Sequence, residues 1–331
     1  MKISMGSWAF SFGPYAENPV PLASVAERLA RAGYDGIELG GFPPHVTLEA
    51  YASKSERQSL RALLHDLGLG VSGYAADFSS VNPVAPGNHQ RYIDLFQRQL
   101  ELCADLESPM IRVDTVAAPG SIDDADYHAA LYRVADVWRE CAELARAAHI
   151  FIAWEFEPGF VFNKPSEVVS MHERVGHPSF RILFDTCHAY MSAVAGARHH
   201  KRKELLDGGV EEFIELLDGR IGAVHVIDSD GTLHGGETST HRPLGEGSIV
   251  WDHAAPKLLA IPHIEWWCVD LCFWPGALEQ ISSSLEFVRK LTPEEAARAQ
   301  QYHQLCKTLA ERVPTGLDPE VRDQNGESVP F

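Results

Sequence analysis

The stretch FRILFDTCHAYM (residues 180–191) carries an apolar run, Ile182 to Phe184, followed at once by Asp185 and, three residues later, by His188. A carboxylate and an imidazole are costly to bury, so their placement at the end of a buried strand asks for a reason. The same arrangement recurs. AWEFEPGF puts Glu155 and Glu157 two residues apart, AVHVID carries His225 with Asp228 beyond it, and WWCVDLCFW holds Asp270. One strand-end carboxylate is often only a helix cap or an ion-pair partner, and a lone histidine is more often a hydrogen-bonded core residue. Four such groups on four successive strands would build a negative cluster in a low-dielectric cleft, which is expensive unless a cation neutralises it. Glu155, Asp185, His225 and Asp270 therefore read as one ligand set. Three carboxylates and an imidazole are hard and oxygen-rich, which suits Mn²⁺ or Mg²⁺, with Co²⁺, Fe²⁺ or Zn²⁺ also accommodated. Cys268 and Cys272 share a strand face with Asp270 by period two and read, like Cys187, as packing residues.

These groups need elements to hold them. Eight apolar segments read as strands: KISMGSWAF, YDGIEL, LGVSGYAADF, PMIRVDTV, HIFIAWEFE, FRILFDTCH, IGAVHVID and IEWWCVDLCFW. Segments of helical period lie between them. In RYIDLFQRQLELCADL the apolar positions Tyr92, Phe96, Leu100, Cys103 and Leu106 recur at three- and four-residue steps, and residues 126–150 behave alike. Shorter helices fit 23–32, 54–67, 165–174, 206–217, 251–260 and 277–291. Eight strands each followed by a helix predict an α/β chain folded as a single (β/α)8 TIM barrel over residues 1–291, with catalytic groups at the C-terminal strand ends. Loops are expected at 78–88 and 228–248. Residues 292–331 are expected to form a C-terminal helical extension and a polar tail, either loose or laid on a neighbouring subunit.

The net charge of −18 over 331 residues disfavours nucleic acid and anionic membranes as partners and suits a neutral ligand or a bound cation. No apolar run is long enough to span a membrane, and MKISMGSWAF has no signal-peptide character. The six cysteines are scattered without a CxxC pair, which fits reduced thiols and a cytoplasmic setting. No GxGxxG opens a helix after a strand, so no nucleotide cofactor is expected. The basic run ARHHKRK (197–203) reads first as a solvated helix start and second as a grip for a sugar phosphate. Glu38, at the end of the second strand, either orients substrate or pairs with a loop.

The glutamate of strand five, DTCH as a D-x-x-H at strand six, VHVID at strand seven and HRPLGEGSIVW (241–251) after it resemble the xylose isomerase-like barrel superfamily, in that order and over residues 1 to about 291. That superfamily includes sugar isomerases, ketose 3-epimerases, inosose dehydratases, apurinic endonucleases and the catalytic subunits of C-glycoside deglycosidases. The resemblance implies that Glu155, Asp185, His225 and Asp270 hold the metal. It implies that His188 touches substrate or a second metal, and that Arg242 binds substrate, with His241 as the alternative reader of that loop. Ser239 before His241, and Asp77 and Asp114 ending strands three and four, depart from the endonuclease pattern. Asp270 stands where the 3-epimerases use a second glutamate, one methylene longer. Glu155 and Glu157 lie on one strand face, so the first can hold the ion and the second can act as general base, a layout resembling the deglycosidases. The bland reading of Glu157 is a solvated carboxylate before Pro158.

The expected chemistry is removal of a proton beside a polarised sugar carbonyl, with Glu157, His188 and Glu155 as the catalytic candidates. Aromatic residues around the mouth, Trp8 among them, could form a platform for a sugar ring or an aromatic aglycone. The specific expectation is a C-glycoside deglycosidase-type lyase subunit acting on 3-keto glycosides. It would work as a homo-oligomer or with a small β-rich subunit. Alternatives are a ketose 3-epimerase or sugar isomerase, or a barrel that binds sugar without turnover.

Overall fold

The computed structural model describes residues 1–292. Met1–Val288 form one compact unit. Of the second unit, Arg289–Phe331, only the first residues are described, so the expected C-terminal extension lies outside the described residues.

Eight parallel strands close into a barrel in the order β1 (Lys2–Gly6), β10 (Trp266–Val269), β7 (Ile221–Val226), β6 (Phe180–Asp185), β5 (Phe151–Glu155), β4 (Met110–Val113), β3 (Gly70–Ala75) and β2 (Gly36–Gly40). The main connecting helices are α1 (Leu22–Ala32), α2 (Lys54–Asp66), α3 (His89–Asp105), α4 (Tyr127–Ala147), α5 (Pro165–Val175), the short α6 (Thr186–Tyr190), α7 (Gly209–Leu216), α8 (Trp251–Leu259) and α9 (Gln280–Leu291). The predicted helices lie within a few residues of these bounds, because apolar faces at helical spacing must cover the barrel. Local signals set several ends. Ser53 and Glu56 form a capping box at the start of α2, and Pro165 opens α5.

The barrel interior is layered by the period of two along each strand. The lower layer is apolar: Met110, Ala153, Leu183 and Ala223 pack together, from β4 to β7. Two residues further along those same strands stand Arg112, Glu155, Asp185 and His225. The register places Asp185 directly beside His225, and His225 beside Cys268. The alternate residues face outward into the helical shell. Trp154 meets Trp138 of α4, and Phe184 meets Phe213 of α7. A single strand thus supplies both a dry outer face and a charged inner tip.

Two expected irregular segments differ. The 228–248 region contains a two-stranded antiparallel sheet, β8 (Asp228–His234) with β9 (Thr238–Arg242). Residues 197–203 are not a helix start; they form bends and turns, and α7 begins at Gly209.

Candidate functional site

The four ligand candidates meet at the C-terminal end of the barrel. One donor atom from each of Glu155, Asp185, His225 and Asp270 lies within 4.8 Å of all the others, and all four residues are buried. His225 Nδ1 is 2.9 Å from Glu155 Oε1, 3.5 Å from Asp270 Oδ2 and 4.0 Å from Asp185 Oδ2.

Each side chain has one atom held by protein and another left over. Glu155 Oε2 accepts from Arg112 Nε. Asp185 Oδ1 accepts from the amide of His188 at 2.7 Å, capping α6. Asp270 Oδ1 accepts from Trp8 Nε1 at 2.8 Å and from the amide of Cys272 at 3.0 Å. His225 Nε2 lies 3.1 Å from Glu38 Oε2. The remaining atoms Glu155 Oε1, Asp185 Oδ2 and His225 Nδ1 are buried without a hydrogen-bond partner. Three orphaned polar atoms at one point, with Asp270 Oδ2 alongside, are expensive in a dry interior. A divalent cation satisfies all four at once, and the donor set of three oxygens and one nitrogen fits such an ion.

The centre opens into a cavity of about 430 Å³. Its floor includes Glu155, Asp270, Arg112 and Trp8, and its walls carry Phe12, Phe42, Phe78, Phe160 and Phe273. Phe12 stacks on Phe273 and meets Phe42 edge-on. Glu157, His188 and His241 also line this cavity. Glu157 is not a solvated loop carboxylate: its side chain is only 12 % exposed, and Oε2 accepts from Thr238 Oγ1 on β9. Burial pushes its carboxyl up to about 7, against the pull of the Thr238 hydroxyl and with the Glu155 charge adding to the rise. His188 Nε2 is 3.6 Å from Glu157 Oε2, while its Nδ1 is 2.8 Å from Ser239 Oγ. Burial lowers His188 to about 3, which leaves it neutral. His241 is also buried, yet Asp270 beside it raises it to about 9; its Nδ1 lies 3.0 Å from the Asp270 carbonyl oxygen.

Two sequence candidates sit elsewhere. Arg242 does not line the cavity: its guanidinium lies over the Trp274 ring at 5.0 Å, with Asp230 at 3.8 Å. Its neighbour His241 lines the cavity instead. Glu38 is fully buried behind His225 and does not reach the cavity either. The GEGSIVW stretch proves architectural. The Asp228 carboxylate accepts from the amides of Ser229, Gly245 and Ile249 and from Trp251 Nε1, and so ties the loop into one piece. A Cβ on Gly247 would stand 2.2 Å from Asp228 Oδ1, which requires glycine there. Cys187, Cys268 and Cys272 carry thiols that burial pushes well above the usual range, so they stay protonated.

Sequence reasoning missed Arg112 and Thr238, which line the cavity together with Ser239, noted only as a departure from the endonuclease pattern, and Arg198 of the basic run 197–203. A signal existed for the first: an arginine inside the apolar strand MIRV is costly unless it pairs inward. Arg112 pairs with Glu155 and, at 3.6 Å, with Asp114.

A family model described as xylose isomerase-like TIM barrel matches residues 26–291. The chain belongs to this family. Among solved structures it is similar to a D-psicose 3-epimerase from Clostridium cellulolyticum H10 determined with D-tagatose, at 17% identity and a TM-score of 0.68, covering 88% of this chain and 99% of that one. It is similar to the IolI protein solved with a bound zinc atom, at 18% identity and a TM-score of 0.67, covering 90% and 99%. It also resembles the probable 3-DHS dehydratase AsbF from Bacillus anthracis, at 17% identity and a TM-score of 0.66, covering 87% and 99%. No curated protein sequence matched. At such identities these likenesses speak for the shared barrel. No helix among the described residues is long and apolar enough to cross a membrane.

Proposed function

We propose that this barrel is a divalent-metal-dependent enzyme that removes a proton from a carbon beside a sugar carbonyl. The supporting observation is the convergence of the orphaned atoms Glu155 Oε1, Asp185 Oδ2 and His225 Nδ1 beside a cavity that Glu157 also lines. Glu155, Asp185, His225 and Asp270 would hold the ion, with Mn²⁺, Mg²⁺ and Co²⁺ the candidates. When bound, a divalent ion supplies Lewis-acid polarisation of the carbonyl and stabilises the negative charge that develops on its oxygen.

The chain's own residues supply the rest. Thr238 holds Glu157 by Oε2, leaving Oε1 to take the carbon-bound proton, and burial has already raised its basicity. His188 is kept in place by Ser239 and stands next to Glu157, where it can pass a proton onward. The aromatic walls exclude water and offer faces to a ring.

Elimination is the outcome this layout favours. The 3-epimerase outcome needs a second proton carrier on the opposite face of the substrate. Asp270 has Oδ1 engaged by Trp8 and Cys272, and Oδ2 is directed at the metal position. Glu155 is likewise committed to Arg112 and to the metal position. One free acid–base pair, Glu157 with His188, suits a lyase of the C-glycoside deglycosidase type acting on a 3-keto glycoside. There the proton leaves for Glu157, the bond to the aglycone breaks with its electron pair, and the departing group takes up the proton that Glu157 has gained, relayed through the neutral His188 or through solvent. Such a subunit would act with a small β-rich partner or as a homo-oligomer. The second reading, ketose 3-epimerase or sugar isomerase, draws support from the D-psicose and L-ribulose 3-epimerases among the similar structures.

Product analysis after incubation with Mn²⁺ and a panel of free ketoses and 3-keto glycosides decides between them. Released aglycone supports the lyase, and interconverted ketoses support the epimerase. No turnover of any member, with metal bound, overturns the enzymatic reading.

A further inference from the structure

Glu38 presents two oxygens to two different surroundings. Oε2 is 3.1 Å from His225 Nε2. Oε1 is buried with no partner among the described residues. The carboxylate is 0% exposed and lies outside the substrate cavity. It lines a separate cavity of about 160 Å³, together with Ser72, Met110, Ala223 and Cys268. The two cavities share no lining residue. Ser72 Oγ is also buried and without a partner.

A neutral imidazole carries one proton, and which nitrogen holds it is set by the acceptor the other side provides. With Glu38 accepting at Nε2, the Nδ1 lone pair is free and points toward Glu155, Asp185 and Asp270. Reversal of that hydrogen bond would put the proton on Nδ1 and block ligation. An isolated buried carboxylate is costly, so the second oxygen needs solvation. The lower cavity is roomy enough for water, and Glu38 and Ser72 are among the polar residues that line it.

We propose that Glu38 is a positioning residue of the metal centre. It fixes the tautomer and ring orientation of His225 from behind through Oε2, while its Oε1 faces the lower barrel cavity. This rests on the metal-centre reading above, and it assigns Glu38 no contact with substrate.

The test is titration of metal-free full-length protein with Co²⁺, followed by the visible d–d spectrum and by calorimetry. It is run on the wild type, Glu38→Gln and Glu38→Ala, with thermal unfolding of each metal-free protein alongside. The expected result is Co²⁺ affinity lower by about 10- to 100-fold in both variants, the range for removing a group that supports a ligating histidine. Glu38→Gln, which keeps the shape, should retain the metal-free unfolding temperature and show an altered Co²⁺ spectrum. Wild-type and variant affinities within twofold of each other overturn the inference while leaving the metal centre standing. A wild type that binds no Co²⁺ overturns both. If Glu38→Ala fails to fold, Glu38→Gln alone carries the comparison.

Discussion

At the scale of single residues, the site is defined by what each atom is already doing. Asp185 divides its work between capping α6 through Oδ1 and presenting Oδ2 to the centre. Asp185→Asn keeps the cap and removes the charge. Metal affinity and turnover should both fall, by more than about 100-fold, since a ligand matters more than the residues that support it. Full activity would remove Asp185 from the site. Glu157→Gln separates the base from the ligands. It should lower kcat by about 10²- to 10⁴-fold, the usual share of a general base, and leave the metal dissociation constant unchanged. A parallel loss of metal would make Glu157 a ligand instead. Arg242→Ala should alter KM by no more than about twofold, as for a surface change, because its guanidinium rests on Trp274 outside the cavity.

At the scale of elements, the hairpin β8–β9 is more than a loop over the barrel mouth. Its inner strand brings Thr238 to Glu157, Ser239 to His188 and His241 to Asp270. Asp228 anchors the segment that follows it. Asp228→Asn would turn an amide NH2 toward buried donors, and equilibrium unfolding should show a loss of at least about 2 kcal/mol. A loss below about 0.5 kcal/mol would contradict the anchoring role. The barrel itself was legible in the sequence because eight short apolar runs recur with a segment of helical period between one and the next, and several of them close on a charged tip. The ligand set was legible for the same reason: period two along a strand carries Ala153 to Glu155 and Leu183 to Asp185. The hairpin was not read, although HGGE held a signal. Gly235 and Gly236 both sit at positive φ in the turn between β8 and β9, the conformation tight hairpins demand. Its strands are built of polar residues and glycine, with Leu233 the one aliphatic side chain, so alternation of apolar residues could not reveal them. The sequence left Glu38 open between orienting substrate and pairing with a loop, because it locates a strand tip and not the direction in which a buried carboxylate finds its partner, here His225.

At the scale of the whole molecule, charge links occupancy to stability. Three carboxylates brought together in the barrel repel one another, and a cation that binds only the folded state stabilises it by mass action. Removing divalent ions with EDTA should lower the unfolding temperature, and Mn²⁺ or Co²⁺ at a hundred times its dissociation constant should restore about 2.7 kcal/mol. Acidification acts at sites away from the ligand candidates as well. Burial lowers His172 and His199 to about 4 from an ordinary 6.5. Between those values the unfolded chain binds the extra protons, so their contribution is complete above pH 6.5 and is lost as pH falls toward 4. Denaturation curves of His172→Gln should therefore decline less steeply than those of the wild type between pH 7 and 5. Identical slopes would mean that this imidazole stays accessible to protons in the fold.

Trp8 gives the barrel an optical gauge of its own occupancy. Its indole N–H is bonded to Asp270 and its ring lies 5.6 Å from that of His225, centroid to centroid. None of the other six tryptophans shares this hydrogen bond to a ligand candidate. An open-shell ion such as Co²⁺ at the centre would drain the excited state of that one ring, so ultraviolet emission should dim in step with filling of the site. A Trp8→Phe chain should bind the ion yet lose most of this dimming, which would let a fluorimeter count loaded molecules without any substrate being known.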